Sequence, residues 1–214
     1  MLDRSPAIVV VGSANVDMIV RSDRLPQPGE TVVGGEFQTA GGGKGANQAI
    51  AASRLGAAVA LIARVGNDAP GQSVLQSYRD EGLDLSAVTV DPDAKTGVAL
   101  ILVDAAGQNM IAVASGANGR LTPADVLVGE SAIRSARVLL VQSEVPLETV
   151  RTALRSARQF GVTTILNPAP ARESDNSILE YVDWLTPNEL EATTLTGLVV
   201  DDVESATLAG QLLV

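Results

Sequence analysis

Val138 to Leu166 reads VLLVQSEVPLETVRTALRSARQFGVTTIL. Val138 to Gln142 and Val162 to Leu166 are short runs rich in Val, Ile and Leu, as expected of strands buried on both faces. Between them, Pro146 to Phe160 carries apolar residues at helical spacing, opens on proline and is stopped by Gly161. A strand, a helix and a strand joined this closely make a right-handed crossover between parallel strands. The rhythm continues on both sides. Thr122-Pro123 starts a helix to about Ser135; Ser174 to Tyr181 is a short helix, Trp184-Leu185 a strand, and Asn188 to Leu195 a helix ended by Gly197. Upstream, Ala7 to Gly12 and Ala58 to Val65 read as core strands and Val88 to Val90 as a short one, with helices over Gly45 to Leu55 and Gly71 to Glu81. Val203 to Val214 has a last helical pattern. The fold predicted over residues 1–214 is one α/β domain, a doubly wound and mainly parallel sheet.

Two segments, approximately 17–40 and 96–114, depart from this rhythm. The first holds Pro26, Pro28, Gly29, Gly34 and Gly35, with short alternating pieces at Met18 to Val20 and Thr31 to Val33. The second, Thr96 to Ala114, reads as a hairpin turning at Asp104 to Gln108. Together they predict a small sheet standing over the site as a lid. Both faces of the hairpin are apolar, so the outer one needs a cover, supplied by a partner chain or by the body of the same chain.

Composition excludes several chemistries. The 214 residues suffice for one sizeable core, built from aliphatic side chains because aromatics make up only 2%. No apolar run reaches membrane-spanning length, and MLDRSPAIVVVG does not read as a signal peptide. With no cysteine and no histidine, disulfides, ordinary zinc sites, thiol nucleophiles and Ser-His-Asp arrangements are excluded. Acid–base work falls to carboxylates, lysine or tyrosine, and a metal would be a hard, oxygen-bound ion such as magnesium. A net charge of −10 argues against a nucleic-acid partner.

The chemistry concentrates in Gly41 to Leu55, GGGKGANQAIAASRL. Glycines admit a ligand close to the main chain, and the first turn of the following helix offers unpaired N–H groups. Lys44, one of only two lysines, adds a positive charge, and Asn47 carries both donor and acceptor. Anion or polyol binding fits these residues, and so does a tight strand-to-helix turn. A Walker A loop does not, because Gly45 follows Lys44 and position 38 is Gln. Gly41, Gly43 and Ala46 match a dinucleotide-binding spacing, but no acidic residue closes a second strand about 20 residues on. Asn15 and Asp17 stand two apart beyond the first strand, on one side of an extended chain or in a local turn. Glu144, Asn167 and Asn188 recur at the carboxyl ends of successive strands. Asn188 and Glu191 fit either a site for hydrated magnesium or a helix cap with its capping-box acid.

VVGSANVDMIV, LPQPGETVVGGEFQTAGGGKGANQAIAASRLGA, the hairpin with SGAN after it, NPAPA and LTPNELEATTLTG together resemble the N-terminal two-thirds of the ribokinase-type members of the phosphofructokinase B type family of sugar and nucleoside kinases. The resemblance covers essentially the whole chain. It implies ATP-dependent phosphorylation of D-ribose at the 5-hydroxyl, a doubly wound fold, a β lid that joins two subunits into a homodimer, and a cytoplasmic enzyme. It implies further that Asn15, Asp17, Gly42, Gly43, Lys44, Asn47 and Glu144 bind the sugar. Asn188 would help place the nucleotide phosphates, and Glu191, with Asn188, magnesium. The family's second signature, Asp-Thr-x-Gly-Ala-Gly-Asp, with its anion hole and catalytic base, does not occur in this sequence. No catalytic residue is therefore assigned, and the adenine pocket and the potassium site expected of a full-length parent fall outside these residues too. The expectation is a chain lacking the C-terminal third of the fold and turning over little by itself. A non-catalytic sugar-binding or lid-dimerising protein is the alternative. Gly41 stands where many such kinases carry an apolar or aromatic residue, which leaves another sugar or a nucleoside open as acceptor.

Overall fold

The computed structural model describes residues 6–213, except the side chains of 173–175. In chain order it contains β1 (Ile8–Val11), β2 (Asn15–Arg21), β3 (Glu36–Gly42), α1 (Lys44–Arg54), β4 (Val59–Gly66), α2 (Ala69–Asp80), β5 (Val88–Asp91), β6 (Gly97–Val103) and β7 (Asn109–Ala114). There follow α3 (Pro123–Val128), α4 (Glu130–Ser135), β8 (Val138–Gln142), α5 (Leu147–Gln159), β9 (Thr163–Asn167), β10 (Trp184–Leu185), α6 (Glu189–Thr196) and α7 (Val203–Leu212).

The main sheet has the order β10-β9-β8-β1-β4-β5 and parallel pairings. β1 lies at its centre, Ile8 facing Val59 on one side and Val138 on the other. That position explains an uninterrupted IVVV: both faces are covered. Val9 and Val11 pack with Leu139, Val141, Val150 and Leu154 under α5, while Val10 packs with Leu61, Ala49 and Leu75 under α1 and α2. The chain leaves β1 toward β4 in one direction and β8 in the other, so the strand order reverses there. A crevice outside the carboxyl ends of the strands at such a point is where open α/β sheets bind ligands.

The second sheet, β3-β2-β6-β7, is the expected lid. β2 runs antiparallel to β3 and parallel to β6, and β6 and β7 form the hairpin. Thr31 to Val33 is not a strand. The pairing partner of β2 is instead Glu36–Gly42, an exposed edge strand whose polar residues carry no burial pattern. The helix expected over 122–135 is two helices broken at Gly129, where the backbone lies on Ile62 and a Cβ would fall 2.3 Å from Ile62 Cδ1. The short helix expected over 174–181 is a 3-10 helix, Glu173–Tyr181. Residues 1–5, which open the segment read for a signal peptide, and Val214, in the last helical pattern, lie outside the described residues. Among those described, no helix is long and apolar enough to cross a membrane.

Candidate functional site

The site is assembled where β1 hands over to β2. Only Gly12, Ser13 and Ala14 separate the two strands, and the first turn of α1 packs directly onto them. A Cβ on Gly45 would fall 2.7 Å from the carbonyl carbon of Gly12 and from Ser13 N, so no side chain fits there. Gly43, the residue before α1, takes φ 89°, a left-handed conformation natural to glycine. The backbone N–H of Ala46 donates to Ser13 O at 2.9 Å, fastening the helix start to the strand link.

Glu144 reaches this junction from the end of β8. Its Oε2 accepts from Ser13 Oγ at 2.5 Å and from the backbone N–H of Lys44 at 3.0 Å. A carboxylate at a helix N-terminus is favoured both by the unpaired N–H and by the helix dipole. Asp17, two residues along β2 from Asn15, sits in the space left by Gly42, whose Cβ would lie 2.1 Å from Asp17 Oδ1. Burial, and then the nearby charge of Glu144, pushes the Asp17 carboxyl above its usual range. Tyr78 of α2 donates to Gly42 O at 3.1 Å, and burial raises its phenol, with the Asp17 charge adding to the effect.

A cavity of about 180 Å³ opens here, lined by Ser13, Asn15, Asn118, Glu144, Arg172 and the lid residue Val113, with Ser115 and Pro170. It is smaller than the roughly 300–1,000 Å³ typical of sites for drug-sized ligands, which suits a small polar molecule. Arg172 is held over the end of β8 by donating to Ser143 O at 2.8 Å.

Of the residues expected to bind, Asn15 and Glu144 form cavity walls, and Lys44 is brought to the same junction by the bond from its N–H to Glu144. Asp17 and Gly42 adjoin each other on neighbouring strands of the lid. Asn47 lies one turn along α1 and is exposed. Ser13, Asn118, Tyr78 and Arg172 were not singled out by sequence reading. Their parts are defined by contacts over long separations, such as Ala14 to Asn118 and Ser13 to Glu144.

Asn188 and Glu191 form a reciprocal capping box on α6. The N–H of Asn188 donates to Glu191 Oε2 at 2.9 Å, and that of Glu191 to Asn188 Oδ1 at 2.8 Å. Asn167 ties the neighbouring strand ends, its Nδ2 donating to Thr186 O at 3.0 Å. Among the described residues no cluster of three or more acidic side chains could hold a metal by itself.

Residues 5–213 match the pfkB family of carbohydrate kinases. The chain is 45% identical over 199 residues to the bifunctional ribokinase/ribose-5-phosphate isomerase A of Fructilactobacillus sanfranciscensis, covering 92% of this chain and 37% of that protein. It is 43% identical over 199 residues to the ribokinase of Staphylococcus aureus (strain COL), covering 92% and 66%. The solved structure of Arabidopsis thaliana ribokinase complexed with ribose and ATP superposes with a TM-score of 0.84 at 32% identity, covering 98% of this chain and 68% of that one. The chain thus spans about two-thirds of the length of its single-activity relatives. A parallel sheet reversing at β1, a four-stranded lid and a glycine-lysine helix start at the switch point agree with that match, and the chain belongs to the pfkB family of carbohydrate kinases.

Proposed function

We propose that this chain forms the acceptor side of a ribokinase-type active site, in which the γ-phosphoryl of ATP is transferred to the 5-hydroxyl of D-ribose. The observation that carries the reading is the junction at Ser13, where Glu144, the start of α1 and the lid strand β2 converge on one small polar cavity. A sugar is uncharged and rich in hydroxyls, each able to donate to a carboxylate while accepting from an amide or ammonium. Asp17 and Glu144 would take hydroxyl hydrogens, Asn15, Lys44 and Asn47 would supply the polar partners, Gly42 leaves room for the Asp17 carboxylate, and Gly43 lets the chain pass close to the backbone of Ser13 and Asn15 beside the sugar. Phosphoryl transfer depends on positioning and electrostatic stabilisation, so a rigidly held hydroxyl is this part's contribution.

Asn188 and Glu191 fit magnesium only through their outer valences. The capping box occupies Asn188 Oδ1 and Glu191 Oε2, which leaves Glu191 Oε1 to reach a hydrated ion beside the nucleotide phosphates. Magnesium supplies charge neutralisation for those phosphates. We assign no catalytic base among residues 1–214, since the signature that supplies it in the family is absent from this sequence.

The lid also supports a homodimer. Phe37, Val20, Leu102 and Met110 are direct neighbours across all four of its strands and form one apolar row. Phe37 is 66% and Met110 53% exposed, on the face opposite Val113 of the cavity. A second lid is the proposed cover.

Titration calorimetry with D-ribose, alongside an ADP-release assay, tests the reading. Ribose binding with little or no turnover is expected of the 214-residue chain. Absence of ribose binding overturns the sugar site, and turnover at an ordinary kinase rate of about 1–100 s⁻¹ overturns the assignment of the acceptor side alone.

A further inference from the structure

Asn118 lies in the 3-10 turn Gly116–Arg120 and is only 1% exposed. Its amide is engaged by the link between β1 and β2: Oδ1 accepts from the backbone N–H of Ala14 at 2.8 Å, and Nδ2 donates to Ala14 O at 3.3 Å. A backbone donor and a backbone acceptor on one residue leave that amide a single orientation. Nδ2 is then the atom facing Asn15, and it donates to Asn15 Oδ1 at 2.6 Å. The orientation of the second amide follows from the first. Asn15 lines the cavity, and among the described residues its side chain bonds to protein through Oδ1, not through Nδ2. Gly97 of β6, directly across from Asn15, makes the contact possible, because a Cβ there would lie 2.3 Å from both Asn118 Nδ2 and Asn15 Oδ1.

We infer that Asn118 is a positioning residue that fixes the Asn15 amide with its NH2 group, not its oxygen, toward the sugar pocket. The inference rests on the sugar reading given above. Its chemical sense comes from the neighbours. Asp17 and Glu144 are acceptors, so hydroxyls that donate to them turn lone pairs toward position 15. An NH2 group there completes those hydroxyls, whereas an amide oxygen would set lone pair against lone pair. Position 15 thereby becomes a donor beside the Glu144 carboxylate of the cavity wall, and a residue with no need to touch the sugar decides it.

The test uses the full 214-residue chain, D-ribose calorimetry and thermal melting. N15D keeps an oxygen for Asn118 and replaces the NH2 group with a second oxygen. Its Tm is expected within a few degrees of wild type, with D-ribose affinity lower by about tenfold or more. The reverse pattern, intact affinity and lost stability, places the oxygen toward the pocket and overturns the inference. N118A releases the Asn15 amide, and affinity is expected to fall several-fold. The double variant N15D/N118A should then lose no more than N15D alone, the non-additivity of two changes acting through one donor. Additive losses overturn the positioning role. Should N118A fail to fold, G97A, which crowds the same amide pair from the lid, takes its place in the cycle with the same two outcomes. If wild type does not bind D-ribose, the sugar reading falls and this inference with it. If wild type binds and N15D binds equally, only the inference falls.

Discussion

Ser13 Oγ donates to Glu144 Oε2 at 2.5 Å, joining the end of β1 to the end of β8 across 131 positions of sequence. The same hydroxyl accepts from the backbone N–H of Gly45 at 3.3 Å, so one side chain braces both the carboxylate and the helix start. S13A is expected to weaken D-ribose binding roughly three- to tenfold, as losing one such bond does, and to lower the Tm by a few degrees. E144Q keeps the shape but exchanges an acceptor for a donor, and its affinity should fall further, by about tenfold or more. Calorimetry on both variants checks the order. Equal binding by E144Q and wild type would remove Glu144 from the site.

Gly42 and Gly45 separate two effects of adding one methyl group. At Gly42 the new Cβ would meet the Asp17 carboxylate, and at Gly45 the backbone of Gly12 and Ser13. A side chain can turn aside and a backbone cannot. G42A is therefore expected to melt near wild type while losing about tenfold or more in D-ribose affinity. G45A should be destabilised by about 1–3 kcal/mol, the usual cost of overpacking. A reversed pattern in melting and calorimetry would contradict the arrangement.

Arg64 of β4 lies between two buried carboxylates, with Nε donating to Asp91 Oδ2 at 2.8 Å and Nη1 to Asp125 at 3.0 Å. Arg120 also pairs with Asp91 at 3.0 Å. R64M leaves Asp125 without this partner and should lower the Tm by roughly 5 °C or more. Backbone donation from Asp93, then Arg64, the N–H of Ala94 and the charge of Arg120, hold the Asp91 carboxyl down to about 2, against an ordinary value of 3.8. On acidification the unfolded chain takes up this proton first. The stabilisation is thus complete above pH 3.8 and is lost as pH falls from there through about 2. Urea unfolding should show wild type losing stability more steeply over that interval than D91N, which has no carboxyl at position 91. Parallel profiles would contradict the prediction.

If two lids pair as proposed, the apolar row across the lid should make oligomeric state sensitive to one charge. L100E lies beside Met110 and Leu102 on the face away from Val113, and is expected to shift the chain from dimer to monomer in sedimentation velocity. A monomeric wild type, or a dimeric L100E, would remove this face as the contact.

Much of the body could be read from residue order because its signals are local. β1, α1, β4, β8, α5 and β9 each carry an apolar run or a helical apolar pattern, all but β8 beside a glycine or proline, and each lies within two residues of its expected range. β3 escaped because an exposed edge strand has no burial pattern, and GGEFQTA shows none. The break at Gly129 depends on Ile62, 67 positions away, and no local signal announces it. The site divides in the same way. Lys44 and Glu144 stand at recognisable boundaries between elements. Ser13 and Asn118 are ordinary polar residues until the fold places one against a carboxylate and the other against a strand link.

The three residues between β1 and β2 carry a thermodynamic consequence. Ser13 grips the body through Glu144, while Asn15 already belongs to the lid. With so short a fulcrum, the angle between the two sheets is a dimension of the pocket itself, and the lid cannot tilt without changing the distance between those two side chains. Whatever clamps the outer face of the lid then acts on ligand affinity through that angle. Were that clamp the second lid proposed above, occupancy of the pocket would act back on it by the same free energy, linking pocket filling to subunit pairing.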